Sequence, residues 1–581
     1  NMLSQGNKNF SFGDKGDGFI DGEGVVSLIL KPLKQAEIDG DRIYGVVKAT
    51  AVNAGGRTQG YTVPNPRSQS QVIEKALKKA RISASDISYV EAHGTGTQLG
   101  DPIEMRGLSK AFIQAKGKTC KLGSIKSNMG HLESAAGLAG LVKILLQLKH
   151  KQLVPTIHCE PVNSKLQIEE TPFELQTKLG SWESSGPRIA GISSFGAGGA
   201  NAHAIIQEHS QKPCINSSEL MVVPMSAKDR ASLYRNLDTM YHWLCHTKDC
   251  NLYALAYTLS VGRTHYPNRW AAAVSSIQEL IEALDPANRL KVTPLQKATP
   301  SSSWEYAQSL CHDYREGLTI EWDKIYPNRA VVSLPGYAFA QHYHWLEEPA
   351  VGLSYKERLI DEHQVNDKKL IPGAALIAKI YGKVHGLESI EEIHFLSPVT
   401  DWSSLELSLN KDNFKGLNKN NSNECYFEGR IGFKPTTSTA KLIPCRGQTL
   451  FKESIYQSFR QNGFEYGSLF QRIQWAKIDE NIAWGAIEVD SGHGHVMDAV
   501  AIDAAMQLTI LLSLQSKGPS QVWMPFMMNH IHHYEKQWPS YIMAQVRLLQ
   551  SSNPSLKCFE ICLFDFDGHL LFQIEKCQAK G

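Results

Sequence analysis

Three histidines stand where a ring could move a proton or hold a developing negative charge. His93 lies in "EAHGTGTQLGDPIE", where a strand-like segment meets a Gly/Thr loop. His131 lies in "IKSNMGHLESAAG", just ahead of a helical pattern. A helix N-terminus disfavours a protonated ring, so an imidazole there stays neutral and able to give or take a proton. His363 lies in "DEHQVNDKKLIPGAALI", nine residues before Pro372. Pro fits the first turn of a helix, where its missing N–H would have no partner anyway. The free amides at that start, Gly373 among them, can polarise a thioester carbonyl and acidify its α-carbon. A neutral His363 close by could then take the α-proton. The second half of such a reaction is an acid. "MDAVAIDAAMQLTI" carries Asp503 and Gln507 one helical turn apart, on one face. A carboxyl among Val500, Ala501, Ile502 and Met506 has a raised pKa and stays protonated, able to donate to a departing β-hydroxyl. A base and an acid on separate segments suit β-elimination of water. Each piece also has a plain structural reading: a lone His before Pro-Gly is often structural, and an Asp at a helix start is often an N-cap.

These residues need elements to hold them. Residues 1 to about 210 alternate strand-like and helix-like segments, which predicts an α/β layered fold. "SQSQVIEKALKKARI" sets Val72, Ile73, Ala76, Leu77 and Ala80 on one helical face. "ESAAGLAGLVKILLQLKH" predicts a helix with Leu138, Leu141, Val142, Leu145 and Leu148 as its apolar stripe. Cys120, in "KTCKLGS", reads as a strand residue. "SSFGAGGANAH" is a third Gly-rich loop, and it does not fit GxGxxG, which excludes a dinucleotide fingerprint. Residues 211–350 mix helices such as "ASLYRNLDTMYHWLCH" with a loop "QKATPSSS" and an aromatic tail "SLPGYAFAQHYHW". From 351 onward strands dominate, with polar loops expected at "KGLNKNNSNE" and "PTTSTA". Helix starts near Pro372 and Asp503 suggest a duplicated unit.

With 581 residues, about three domains are expected. A formal charge of +2 gives no reason to expect nucleic acid or an anionic membrane as partner. The longest apolar run, "AAGLAGLVKILLQL", is interrupted by Lys143 and reads as a core helix rather than a span. The polar, Gly-rich first residues do not read as a signal peptide. Eleven cysteines without a CxxC pair predict reduced thiols in a cytoplasmic protein. The histidines of "SGHGHV" and "NHIHHYE" have no acidic or thiol partner at ligand spacing, so no metal is expected.

"GDGFIDGEGVVSLILKPL", "HGTGTQLGDPIE", "KSNMGHLESAAGLAGLVK" and "SSFGAGGANAH", in this order, resemble the ketosynthase domain of modular type I polyketide synthases over nearly all of the first 210 residues. The resemblance implies a thiolase-like fold and decarboxylative Claisen condensation. It makes His93 and His131 the pair that stabilises enolate and thioester oxygens. It gives Lys126 a supporting role, puts Thr95 and Thr97 on a phosphopantetheine arm, and makes Phe195 the gate of the acyl pocket. The family's Cys-Ser-Ser nucleophile is absent here, so the chain resembles a ketosynthase cut off on its N-terminal side, and by itself it is expected not to condense. Residues 211–350 resemble the linker that follows such ketosynthases. No GxSxG acyltransferase serine intervenes, which implies the class whose acyltransferase is a separate protein.

From about 351 to 581 the chain resembles the double-hotdog dehydratase of the same synthases, through His363–Asp367–Pro372 in HxxxDxxxxP, "YGSLFQ", DAAMQ, "WMPF" and "FDFDGHL". The expected halves are about 351–440 and about 445–581. By resemblance His363 is the base and Asp503 the acid, while Gln507 and Tyr466 shape the site. Two positions depart from the pattern. Asp367 replaces a usual Gly, and Asp498-Ala499 a usual His-Pro. A carboxylate at 367 close to His363 would favour the protonated imidazole and leave less free base. The resemblance implies dehydration of a 3-hydroxyacyl thioester on a carrier protein; within the same fold, double-bond shifting and pyran formation are alternatives, and a non-catalytic docking fragment is a third. No cofactor is expected beyond the 4′-phosphopantetheine that carries the substrate. The expected partners are an acyl carrier protein, neighbouring synthase domains, a separate acyltransferase, and a second copy through the ketosynthase.

Overall fold

The structure is a computed structural model. It describes residues 2–58, 60, 63–115, 120–210, 220–289, 302–340, 355–384, 387–432, 440–443, 445, 447–489, 499–514, 523–535, 538–551, 553 and 555–580. The chain divides into two compact units, 1–214 and 215–581.

In the first unit a mixed six-stranded sheet runs in the order Val46–Ala54, Ala200–Gln207, Ile189–Phe195, Tyr89–Glu91, Cys120–Gly123, Phe173–Leu175. Tyr89–Glu91 lies at its centre, buried throughout and parallel to both neighbours. Parallel neighbours need crossovers, and helices Gly100–Ala111 and Ala136–His150 fall between these strands. The helix expected around Val72 spans Pro66–Ala80 and buries Val72, Ile73, Ala76 and Leu77. It begins ahead of the serines, with Pro66 first and the Asn65 side chain accepting from the Arg67 and Ser68 amides.

The Ala136–His150 helix departs from its expected stripe. Its buried face is Ala136, Ala139, Gly140, Lys143, Ile144, Gln147 and Leu148, while Leu138 and Leu146 are exposed. Small residues decide the orientation. A Cβ on Gly140 would come within 3.0 Å of both Glu91 and Ile192, so the glycine lets the helix approach the sheet closely. Lys143, read from sequence as an interruption, turns inward and pairs with Glu91 at 2.8 Å.

The second unit opens with Met221–Ala227 paired antiparallel to Asn268–Val274, packed by helices Arg230–His246, Leu252–Ser260 and Ser302–Arg315. Beyond it an eleven-stranded antiparallel sheet runs in the order Leu405–Asn410, Asn413–Asn418, Asn421–Gly432, Ser389–Phe395, Met524–His533, Leu570–Lys580, Leu556–Phe564, Tyr541–Leu549, Ile482–Glu488, Ile473–Ile478, Gln448–Phe451. Two apolar helices, Gly373–Lys383 and Ala499–Leu514, lie in its core. This is a double hotdog: the pairing of Ser389–Phe395 with Met524–His533 joins its halves into one sheet.

Two local expectations change. "KGLNKNNSNE" is a hairpin rather than a loop, with Asn413–Asn418 paired to Asn421–Gly432. Phe414 and Phe427 bury on its inner face while the asparagines stay outside, so polarity alone misread it. Pro372 is the N-cap of its helix and Gly373 the first helical residue; its φ of −59° and ψ of 142° lead the chain in extended. "NHIHHYE" lies in and just beyond strand Met524–His533. "SGHGHV" and most of "QKATPSSS" and "PTTSTA" lie outside the described residues.

A seam joins the 221–340 segment to the hotdog sheet. Tyr234 stacks on Phe566 with ring centroids 4.0 Å apart. Tyr541 donates to Asp238 at 2.8 Å, and Asp238 also pairs with Arg289. Lys477 meets Asp285 at 2.7 Å. The "FDFDGHL" turn is part of this seam: Arg230 pairs with Asp567, and His569 and Asp565 close the turn at 2.9 Å.

Candidate active site

His363 opens strand His363–Val365, which pairs antiparallel with Phe464–Tyr466; His363 and Tyr466 are register partners. Asn366 and Asp367, at φ 49° and 61°, form the two-residue turn that returns the chain to Lys368. The preceding Glu362 fixes this corner. Its carboxylate accepts from the Leu469 amide at 2.7 Å and pairs with Arg358 at 2.7 Å. Asp367 is exposed at the hairpin tip, where water and salt screen it, so the electrostatic effect expected on His363 finds no support in its position.

Asp503 lies in the second turn of Ala499–Leu514 as described, which is an interior position and not a cap. Its Oδ1 is 3.8 Å from His363 Nε2, and both side chains are buried. Burial raises the Asp503 carboxyl above its ordinary range, against the opposing pull of His363 and Gln507. The Gln507 amide donates to Asp503 Oδ2 at 2.9 Å and to the Phe470 carbonyl at 3.2 Å. His363 Nδ1 is buried without a partner among the described residues. Phe470 and Tyr466 flank the imidazole, with ring centroids at 5.2 and 5.4 Å.

These groups open on a cavity of about 320 Å³ whose walls are mainly apolar, among them Leu376, Phe395, Ile510 and Trp523. Gly373 lines it too, and its amide, first in the helix, has no intrahelical acceptor. The cavity thus sets a carboxyl that burial raises, an imidazole and a backbone donor within apolar walls.

In the first unit His93 and His131 meet edge to face, with centroids 5.4 Å apart. The Glu133 amide donates to His131 Nδ1 at 2.9 Å, which leaves the proton of the neutral ring on Nε2. Burial, then the nearby Lys126, lowers His131 to about 4. The neutral ring was expected from a helix N-terminus; desolvation is the larger cause. His93 is held well below the ordinary histidine range by burial, with Lys126 and His131 adding to it. Phe195, at the end of its strand, lies 5.9 Å from His93. Lys126 is buried, which lowers its own ammonium. Thr97 Oγ1 accepts from the Gly100 amide at 3.0 Å and sits 3.1 Å from Thr95 Oγ1, so Thr97 has a capping duty in its loop.

Comparison with known proteins matches three profiles in sequence. "Beta-ketoacyl synthase, C-terminal domain" covers residues 44–160, "RhiE-like, KS-MAT linker domain" 224–289, and "Polyketide synthase dehydratase N-terminal domain" 434–580. The chain belongs to the polyketide synthases. Among curated relatives, polyketide synthase PksM of Bacillus subtilis (strain 168) is 42% identical across 98% of this chain. Polyketide synthase ThaG of Burkholderia thailandensis is 36% identical across 69% of it. The chain spans 16% of the length of PksM and 9% of that of ThaG. Among solved structures, the ketosynthase from module 6 of the Bacillus subtilis 168 bacillaene synthase matches with a TM-score of 0.54 at 35% identity, over 60% of this chain and 66% of that one. The Streptomyces albus oxazolomycin ketosynthase domain OzmH KS7 gives 0.54 at 37%, over 59% and 62%. The thiolase-like part, the linker and the double hotdog thus follow one another in a modular synthase of the trans-acyltransferase class.

In this polyketide synthase the dehydratase profile covers Tyr466, Asp503 and Gln507 but not His363, which reaches them through the fold. Sequence reasoning missed three supporting groups. Glu104, in the quoted "GDPIE", accepts from the His93 and Gly94 amides at 2.7 and 2.8 Å, and burial raises it to about 7. Asp101 accepts from the Phe12 amide at 2.7 Å, and burial raises it to about 6. Tyr456 sits behind Gln507. Only a helical face of apolar residues, Ile455, Tyr456 and Phe459, marked it in the sequence.

Proposed function

We propose that residues 351–581 of this polyketide synthase dehydrate a 3-hydroxyacyl thioester to a 2-enoyl thioester. The observation that carries the reading is the 3.8 Å approach of His363 Nε2 to Asp503 Oδ1 at the wall of an apolar cavity. The thioester carbonyl would accept from the Gly373 amide, which acidifies the α-carbon. His363 Nε2 takes the α-proton, the electrons form the α,β double bond, and Asp503 Oδ1 gives its proton to the β-hydroxyl as it leaves as water. A neutral carboxylic acid in an apolar wall is the form this step needs. Tyr466 and Gln507 position the hydroxyl and the acid.

The carrier would be an acyl carrier protein presenting the chain on 4′-phosphopantetheine in the cytoplasm. In the complete synthase, residues 1–210 would complete a ketosynthase in which His93 and His131, with Lys126, Thr95, Thr97 and Phe195 around them, serve decarboxylative condensation. Residues 211–350 would connect it to the dehydratase. The acyltransferase would be a separate protein, and the ketosynthase the dimer interface.

The test is incubation of the chain with a 3-hydroxyacyl thioester of an acyl carrier protein, with intact-mass measurement of the carrier. Loss of one water that disappears in Asp503→Asn supports the reading. An unchanged carrier mass with folded protein overturns it.

A further inference from the structure

The Tyr456 hydroxyl lies behind the acid, out of the cavity, at a junction of three groups. It accepts from the Ile473 amide at 3.1 Å, and it lies 3.1 Å from the Phe470 carbonyl and 3.2 Å from Gln507 Oε1. A phenol has one proton to give. Gln507 has two amide protons, and these reach the Phe470 carbonyl and Asp503 Oδ2. One arrangement satisfies every group: Ile473 donates to the phenol oxygen, the phenol donates to Gln507 Oε1, and the Gln507 amide donates to Phe470 and Asp503. With the phenol turned to Phe470 instead, Gln507 Oε1 is buried with no donor. With the amide turned over, its oxygen faces the Phe470 carbonyl and competes for the proton that Asp503 needs for its substrate. Which way a glutamine points follows from its hydrogen bonds, and here the phenol is the group that breaks the tie.

We propose that Tyr456 is a positioning residue that, through the Gln507 amide, fixes which oxygen of Asp503 carries the proton. Gln507 occupies Oδ2 as its acceptor, so the acid hydrogen resides on Oδ1, the oxygen that faces His363. Tyr456 touches no reacting atom. It acts at second hand, as a buried side chain 4% exposed on helix Lys452–Gln461. Among the described residues, the other titratable groups around Asp503 are His363 and Tyr466, each on its own strand. This inference rests on the reading of Asp503 as the acid, and its test is separable from that reading.

The experiment compares wild type, Tyr456→Phe, Gln507→Leu and the double variant on a 3-hydroxyacyl carrier-protein thioester, with infrared spectra of each protein. Asp503, protonated on Oδ1, has Oδ2 as its carbonyl oxygen; its carboxylic C=O band is identified by its loss in Asp503→Asn. Tyr456→Phe is expected to lower kcat roughly 10-fold with KM little changed, as misplacement of a reacting group does. The double variant is expected to lose no more than Gln507→Leu alone, because both act on one link. The Asp503 band is expected to move to higher wavenumber as the amide hydrogen bond to Oδ2 is lost. Full kcat, losses that multiply, or an unmoved band overturns the inference. If wild type releases no water while the band still moves, the dehydratase reading falls and the Tyr456–Gln507–Asp503 link stands. Should Tyr456→Phe fail to fold, 2,3-difluorotyrosine at 456 keeps the oxygen for Ile473 and strengthens the donated bond; the band is then expected to move to lower wavenumber, and an unmoved band overturns the inference.

Discussion

His363 and Tyr466 face each other as register partners across a short antiparallel strand pair, one from each half of the double hotdog. Successive strand residues point to opposite faces, so a slip of one residue would turn the ring on the slipped strand away from its partner. The site is therefore assembled by strand pairing between the halves, and Glu362, which ties the His363 corner to Leu469, holds that register.

Asp503→Asn is expected to abolish water loss while leaving the fold intact, since amide and acid are nearly isosteric. Removal of a general acid costs on the order of 10²–10⁴-fold in rate. Turnover of the carrier-bound thioester, read beside the thermal unfolding curve, checks both halves. Near-wild-type turnover would take Asp503 out of the mechanism.

Asp367→Gly is expected to leave the acidic limb of kcat/KM in place, because Asp367 is exposed at the tip of its hairpin. Its φ of 61° is one that glycine adopts freely. The variant is expected to gain about 0.5–1 kcal/mol in stability, measured by denaturant unfolding. A shift of the limb to lower pH would restore the electrostatic role that the sequence alone suggested.

His131 gives the first unit a pH-dependent stability. Its folded pKa of about 4 lies below the ordinary 6.5 of the unfolded chain. Between those values the unfolded state takes up a proton that the folded state refuses. The stabilisation is complete above about pH 6.5 and is lost as pH falls towards 4. His131→Asn keeps an oxygen that can accept from the Glu133 amide and removes the titration. Its unfolding midpoint is expected to fall less than that of wild type over this window, and parallel declines would contradict the assignment.

Gly140→Leu is expected to destabilise the first unit by about 1–3 kcal/mol through overpacking. The new side chain would press on Glu91 and Ile192, and Glu91 already holds Lys143, the Tyr89 hydroxyl and the Ile125 amide. Chemical denaturation of both proteins provides the comparison. Unchanged stability would mean that the helix stands further from the sheet.

The candidate site residues were more legible in the sequence than the packing that supports them. His363, Asp503 and Gln507 could be found because acid and base chemistry needs particular residue types, and Gln507 follows Asp503 by one helical turn. Tyr466 was named through the resemblance of "YGSLFQ", but its pairing with His363 required a strand register that no spacing encodes. Tyr456 stayed hidden because a buried tyrosine on an amphipathic helix reads as core; its hydroxyl matters only through residues 14 to 51 positions away. The Ala136–His150 stripe misled for a related reason. In a helix apolar nearly all round, leucines do not mark the inner face, and the glycine and the buried lysine do. Asp367 illustrates the reverse case, where four residues along the chain suggested proximity and a two-residue turn carried the carboxylate out to solvent.

The seam through Tyr234, Phe566, Tyr541 and Asp238 bears on how such synthases can be recombined. Separating the 221–340 segment from the hotdog would open a shared interior. The excised hotdog would show water the stacked faces of Phe566 and Tyr541, and the linker left behind would keep Asp238 and Arg289 without Tyr541. Exchange units that carry residues 221–340 together with the hotdog leave that interior closed.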